Sequence, residues 1–67
     1  MNTYKVEFSY IGKDGNRVHE TDICTAWHSW DAARDIYEYY CDYCPELRIE
    51  HVWIETNNAW ELREFEL

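Results

Sequence analysis

The stretch YKVEFSY at residues 4–10 decides the fold, because apolar and polar side chains alternate along its whole length. A period of two sends successive side chains to opposite sides of a β-strand, so the pattern predicts a half-buried strand. The cluster GKDGN at residues 12–16 is typical of a turn. Residues 17–27 are predicted to return as a second strand and to complete a hairpin. The apolar residues Val18 and Ile23 have opposite parity, and a bulge near residues 20–22 is predicted because it would bring both to one face.

A helix is predicted over about residues 30–43, with Ser29 as its N-cap and Asp31 at the positive end of the helix dipole. Pro45 disfavours helical backbone in the residue before it, so the helix ends by this point. Apolar residues recur at helical spacing and form one stripe. The stripe contains Ala33, Ile36, Tyr37, Tyr40, Cys41 and Cys44.

Two further strands follow at residues 47–55 and 59–67, separated by a turn at residues 56–58. The apolar positions of the last strand shift parity towards Phe65 and Leu67, which predicts a bulged or frayed end.

The predicted fold is α+β, with the element order β-β-α-β-β in a single compact domain over residues 1–67. The helix is a crossover between strands two and three, which then run parallel, and strand one fits between them in the order 2-1-3-4. This arrangement is one four-stranded mixed sheet with a single helix packed on one face. The other face has no cover from this chain, so it is a candidate interface if it carries Trp27, Trp53 or Trp60.

Charge excludes several classes of ligand. The chain has 14 acidic and 6 basic residues, and its formal net charge is −8. Such a chain is not expected to bind nucleic acid directly or to bind an anionic membrane surface, because both require a basic patch. No stretch approaches the roughly 20 apolar residues of a membrane helix, and no signal peptide is visible. Three cysteines do not form a disulfide framework, so we expect a cytoplasmic protein.

Four carboxylates follow one another at helical spacing in the predicted helix. Spacings of four, three and four residues place them on one side, opposite the apolar stripe, and Glu46 extends the row. Two interpretations are open, namely a solvated helix face or a row that imitates a phosphate backbone for a partner with a basic surface. In the second, Trp30 and Trp53 are the expected aromatic anchors. The four carboxylates belong to Asp31, Asp35, Glu38 and Asp42.

A second acidic cluster lies near the end of the chain. It indicates either a charged edge strand that resists aggregation or, if that edge lies beside the helix, an extension of the first row. The cluster consists of Glu55, Glu61, Glu64 and Glu66.

Catalytic, metal and cofactor sites are not expected. The chain has no Gly-rich phosphate loop and no nucleophile elbow. Cys41 and Cys44 form a C-x-x-C pair, which with Cys24 and His28 superficially resembles a zinc site. The predicted helix separates His28 from Cys41 by about 20 Å, too far for both to bind one ion.

In size, charge, helix acidity and compact α+β build, the whole chain resembles the very small acidic proteins that phages and mobile elements use against host defence. These are the anti-CRISPR proteins and the anti-restriction DNA mimics. The resemblance assigns no role to an individual residue. It implies a non-enzymatic inhibitor that blocks the nucleic-acid site of a nuclease or surveillance complex in the host cytoplasm.

Two alternatives stay open. One is a homodimeric interaction module that associates through exposed aromatic residues on the open sheet face or through an edge strand. The other is a small zinc-binding regulator that uses Cys41 and Cys44.

Overall fold

The computed structural model describes residues 1–63 and contains one four-stranded sheet and one helix, which confirms the α+β class. The helix lies between two pairs of strands in the chain. The elements are β1 (Asn2–Ile11), β2 (Arg17–Ala26), α1 (Ser29–Tyr40), β3 (Arg48–Glu55) and β4 (Trp60–Arg63).

The strand order in the sheet is β2-β1-β3-β4, and every neighbouring pair is antiparallel. The predicted mixed sheet is therefore wrong. The predicted order already places β1 between β2 and β3, so these two strands run in the same direction without bonding to each other, and a mixed pairing does not follow from that order.

The core lies between α1 and one side of β1. Tyr4, Val6 and Phe8 alternate along β1 and are buried on the side that faces the helix. The Tyr40 ring stacks on Phe8 with 4.7 Å between ring centroids. Removal of these apolar surfaces from water is the main favourable term in folding. From the other elements the core includes Ala26, Ala32, Ala33, Ile36 and Val52.

The predicted bulge in β2 is wrong. Pairing of β1 with β2 runs without a shift from Asn2 opposite Ala26 to Ile11 opposite Arg17. Ile23 instead points to the uncovered face of the sheet, where it is 58% exposed. The register shift lies in the β1–β3 pairing, between Glu7 and Phe8.

The helix differs from its predicted bounds at both ends. The N-cap is His28 in extended backbone, and Ser29 is the first helical residue. At the other end, the Tyr40 carbonyl accepts hydrogen bonds from the N–H groups of Tyr43 and Cys44, both at 2.9 Å. These bonds make a turn, so the helix ends three residues earlier than predicted.

The strands after the helix each begin one residue later than predicted. β3 begins at Arg48 rather than at Leu47, and β4 covers Trp60–Arg63. The predicted parity shift at Phe65 and Leu67 lies outside the described residues.

A polar network joins β1 to β3 on the uncovered face. The Ser9 hydroxyl is fully buried and donates a 2.6 Å hydrogen bond to the Glu50 carboxylate. Arg17 donates to the Ser9 oxygen at 3.0 Å and to the Glu46 carbonyl at 3.1 Å. The bond from Ser9, with nearby basic side chains, lowers the pKa of Glu50.

Replacement of Ser9 by Ala is expected to reduce the free energy of unfolding by about 1 kcal/mol at neutral pH, because Glu50 loses its donor. A carboxyl group with a lowered folded-state pKa stabilises the fold above its unfolded pKa. This contribution is lost as pH falls through the folded-state pKa. Denaturant unfolding should therefore show the variant and the wild type converging at acid pH. Thr21→Ala, at an exposed residue, is the control. If Ser9→Ala lowers the free energy of unfolding equally at neutral and at acid pH, the account is contradicted.

Candidate protein-binding surface

The four carboxylates predicted to form one row on the helix differ in their surroundings. Asp35 and Glu38 are exposed on α1, and Asp42 is exposed in the turn after it. Asp31 is half-buried, and its carboxylate lies 2.8 Å from the Arg34 guanidinium, which offsets its charge. The strongly negative stretch therefore begins one turn later than predicted.

Glu46 lies past this turn, where the chain leaves the helix for β3. Its backbone has a φ of 52°, in the left-handed region, and its carboxylate side chain is exposed. The hydrogen bond from Arg17 to its carbonyl oxygen places a cation beside it. Glu46 is thus less suited to extend the acidic row than its spacing suggests.

Two carboxylates that the sequence interpretation did not select lie on the helix side of β2. Asp22 and Glu20 pair with Val6 and Phe8, whose side chains face the helix. The Tyr40 hydroxyl donates a 2.6 Å hydrogen bond to Asp22. Uninterrupted alternation along β2 would have placed both residues on the helix side of the sheet. The predicted bulge interrupted this alternation, so their position was missed.

Electrostatic effects link these strand carboxylates to the helix. Burial raises the pKa of the Cys24 thiol, and the charges of Asp35 and Asp22 raise it further. Burial also raises the pKa of Cys44, with a further increase from Glu20. Both thiols therefore stay protonated at neutral pH.

We call this combined region the acidic surface. It joins the outward side of α1, the turn after it and the helix side of β2. The sequence contains no Lys or Arg at residues 18–33 or 35–47, so within these segments Arg34 is the sole cation. The acidic surface consists of Glu20, Asp22, Asp35, Glu38 and Asp42.

The two predicted aromatic anchors lie on different faces of the molecule. Trp30 is 44% exposed near the start of α1, where its ring stacks on His28 and lies 5.3 Å from Arg34. Trp53 is half-buried on the uncovered face of the sheet, where the Lys5 ammonium lies 4.7 Å from its ring. Only Trp30 is therefore placed to contact a partner that covers the helix.

The described residues of the second acidic cluster lie apart from the acidic surface. Glu55 and Glu61 belong to β3 and β4, and β4 is at the opposite edge of the sheet from β2. Glu64 and Glu66 lie outside the described residues.

The cysteines do not converge on one site. Cys41 is exposed, Cys44 is buried and Cys24 is half-buried. Within residues 1–63, no group of three or more His, Cys, Asp or Glu side chains is arranged to hold a metal ion. A zinc-binding role for Cys41 and Cys44 therefore lacks further ligands in the described part of the chain.

One pocket of about 370 Å³ lies over the β3–β4 turn and is lined by residues 55–60. Glu55 is the single titratable side chain in its lining, and the neighbouring Thr56 hydroxyl donates its hydrogen bond to the Ala59 carbonyl oxygen.

Comparison of the chain with protein-family models, curated proteins and solved structures found no match. Across residues 1–63, no helix combines the length and the apolar character needed to cross a membrane.

The bond between Tyr40 and Asp22 is expected to stabilise the contact of α1 with β2. Tyr40→Phe should lower the free energy of unfolding by about 1–2 kcal/mol, because the Asp22 carboxylate loses the Tyr40 donor and keeps that of the Ile23 N–H. Tyr39→Phe, at a 68% exposed neighbour, is the matched control and should change stability by less than about 0.5 kcal/mol.

The same bond predicts a pH dependence. It raises the pKa of Tyr40 to about 12 from an ordinary value of 10.0. Its stabilising effect is therefore fully present below the ordinary pKa and is lost as pH rises through the folded-state value. Ultraviolet titration of the folded protein should show a tyrosine hydroxyl that ionises at higher pH than an ordinary tyrosine. This ionisation should be absent in Tyr40→Phe and present in Tyr39→Phe. Identical titrations of the two variants would contradict this assignment.

Proposed function

We propose that this protein is a non-enzymatic inhibitor that binds the nucleic-acid-binding surface of a host defence nuclease or CRISPR surveillance complex. The acidic surface is the observation that carries the proposal. It presents carboxylates from two elements of the fold, and the sequence segments that form it contain one cation, which is paired with Asp31.

The spacing of these carboxylates supports mimicry of a nucleic-acid strand. Residues three and four apart on a helix have Cβ atoms about 5–6 Å apart, similar to the spacing of phosphates along one strand. Asp35 and Glu38 follow this spacing on α1, and Asp42 comes next in the turn after the helix. Like charges this close reduce helix stability, so selection for folding alone does not account for them.

Exposed aromatic rings beside the carboxylates supply candidate anchors. Trp27, between β2 and the N-cap, and Trp30, in the first turn of α1, are 64% and 44% exposed, and Tyr39 is exposed further along the helix. Trp and Tyr are enriched among the residues that dominate binding energy. Carboxylates would steer the encounter with a basic groove, and the rings would slow dissociation.

The proposal is tested by capture from a bacterial lysate, with this protein as bait and elution along a salt gradient. A nucleic-acid-binding complex should be retained at low salt, elute as ionic strength screens the charges, and be displaced by added DNA or RNA. Capture that ignores both salt and nucleic acid contradicts the mechanism.

A charge-neutral variant tests which carboxylates matter. Asp35→Asn, Glu38→Gln and Asp42→Asn together should weaken binding to the captured complex by at least about tenfold, because three charge contacts are lost. The matched control changes three exposed acids elsewhere, Asp14→Asn, Glu55→Gln and Glu61→Gln, and should bind nearly as the wild type does. Equal loss in both variants would mean that net charge alone, and not the acidic surface, drives binding.

A further inference from the structure

The uncovered face of the sheet has a charge balance unlike the rest of the molecule. By strand alternation it carries three basic residues and three acidic residues. The rest of residues 1–63 carries nine acidic and three basic residues. The basic residues of this face are Lys5, Arg17 and Arg48, and its acidic residues are Glu7, Glu50 and Glu55.

One row of side chains crosses all four strands on this face. Ile23 of β2 is paired with Lys5 of β1, Lys5 with Trp53 of β3, and Trp53 with Leu62 of β4. The two aliphatic ends are 58% and 57% exposed, so large apolar side chains lie in water at both edges. With the Trp53 ring between them, these two side chains make the row a candidate contact surface.

The order of this row is self-complementary. Consider two copies stacked face to face about a two-fold axis that runs parallel to the strands, between β1 and β3. The rotation reverses the strand order, so Ile23 meets the second copy's Leu62 and Lys5 meets its Trp53. Each contact then occurs twice, as an isologous interface requires.

The neighbouring row follows the same rule. Glu7 of β1 is paired with His51 of β3, and the two side chains lie 3.9 Å apart within one chain. The same rotation places Glu7 of each copy opposite His51 of the other. In both rows, each side chain therefore meets one of opposite charge or compatible chemistry in the second copy. Packed sheets are rotated by about 30° relative to each other, which shifts the facing side chains slightly from this alignment.

Lys5 is the central side chain of the proposed contact. Its ammonium lies 4.7 Å from the Trp53 ring and 5.1 Å from the Trp60 ring of its own chain. A third ring from a second copy would replace the water that covers this cation. Attraction between a cation and an aromatic ring strengthens when the pair is removed from water.

We propose that the uncovered face binds a second copy of this chain, in a homodimer with β1 facing β3 and β2 facing β4. Four strands about 4.8 Å apart, with ten, ten, eight and four described residues, give about 500 Å² per copy. Twice this area reaches the lower limit of about 1,000–1,200 Å² for a specific interface. Because the molecule is negative elsewhere, two copies repel less through this face than through any other described surface.

This proposal is independent of the proposed inhibitor function. A face-to-face dimer leaves both helices outside, so each acidic surface stays accessible. Loss of dimerisation and loss of partner binding can therefore be measured separately.

Sedimentation equilibrium between about 1 and 200 micromolar tests the dimer, because association follows mass action. The wild type should shift from 8.2 kDa towards twice that mass as concentration rises. Ile23→Glu and Leu62→Glu should each raise the dissociation constant at least about 100-fold, since each change occurs twice per dimer. Tyr39→Glu, on the exposed side of α1, should dimerise as the wild type does.

A mass of 8.2 kDa at every concentration overturns the proposal, and so does a dimer that Tyr39→Glu disrupts and Ile23→Glu does not. Cross-linking checks the axis in a background with the exposed Cys41 replaced by Ser. A mixture of Ile23→Cys and Leu62→Cys chains should cross-link faster than either variant alone. Faster linking of Ile23→Cys to itself would contradict this axis.

Discussion

The rest of the structure depends on the contact between α1 and the central strand β1. Tyr4, Val6 and Phe8 give β1 one apolar side, and within residues 1–63 a single helix is available to cover it. Ala32 and Ala33 are fully buried at this contact, where their small side chains let the helix approach the sheet closely. A small domain buries a modest fraction of its surface, so the fold has little spare stability beyond this core.

This constraint also creates two chemically different faces. One helix covers one side of the sheet, and its outward side, with the neighbouring side of β2, carries the acidic surface. The opposite side stays open and holds Lys5 between two tryptophan rings. The inhibitor proposal uses the first face and the dimer proposal uses the second, so the two do not compete for the same residues.

The sequence could predict those features that depend on local periodicity. Alternation at residues 4–10 and the helical stripe around Ile36 indicated the α+β class, the hairpin and the helix. Turn chemistry was harder to predict. The helix ends at Tyr40 because two backbone N–H groups share one carbonyl, which side-chain identity does not reveal.

The candidate site was predicted in part. Helical spacing identified Asp35 and Glu38. The apolar stripe shows which side of the helix faces the core, and this fixes which residues face outward. Glu20 and Asp22 were missed because an exposed Ile23 was taken as a core residue, which required a bulge that β2 does not contain. Position in the sheet, and not sequence spacing, separates Trp53 from the acidic surface.

Carboxylate footprinting of the free protein and of its complex with the captured nucleic-acid-binding partner tests the central claim most directly. Labelling of Asp22, Asp35, Glu38 and Asp42 should fall on binding, while labelling of Glu7, Glu55 and Glu61 should not change. Protection confined to Glu7, Glu55 and Glu61 would contradict the account, because the partner would then be covering the side of the molecule away from the acidic surface.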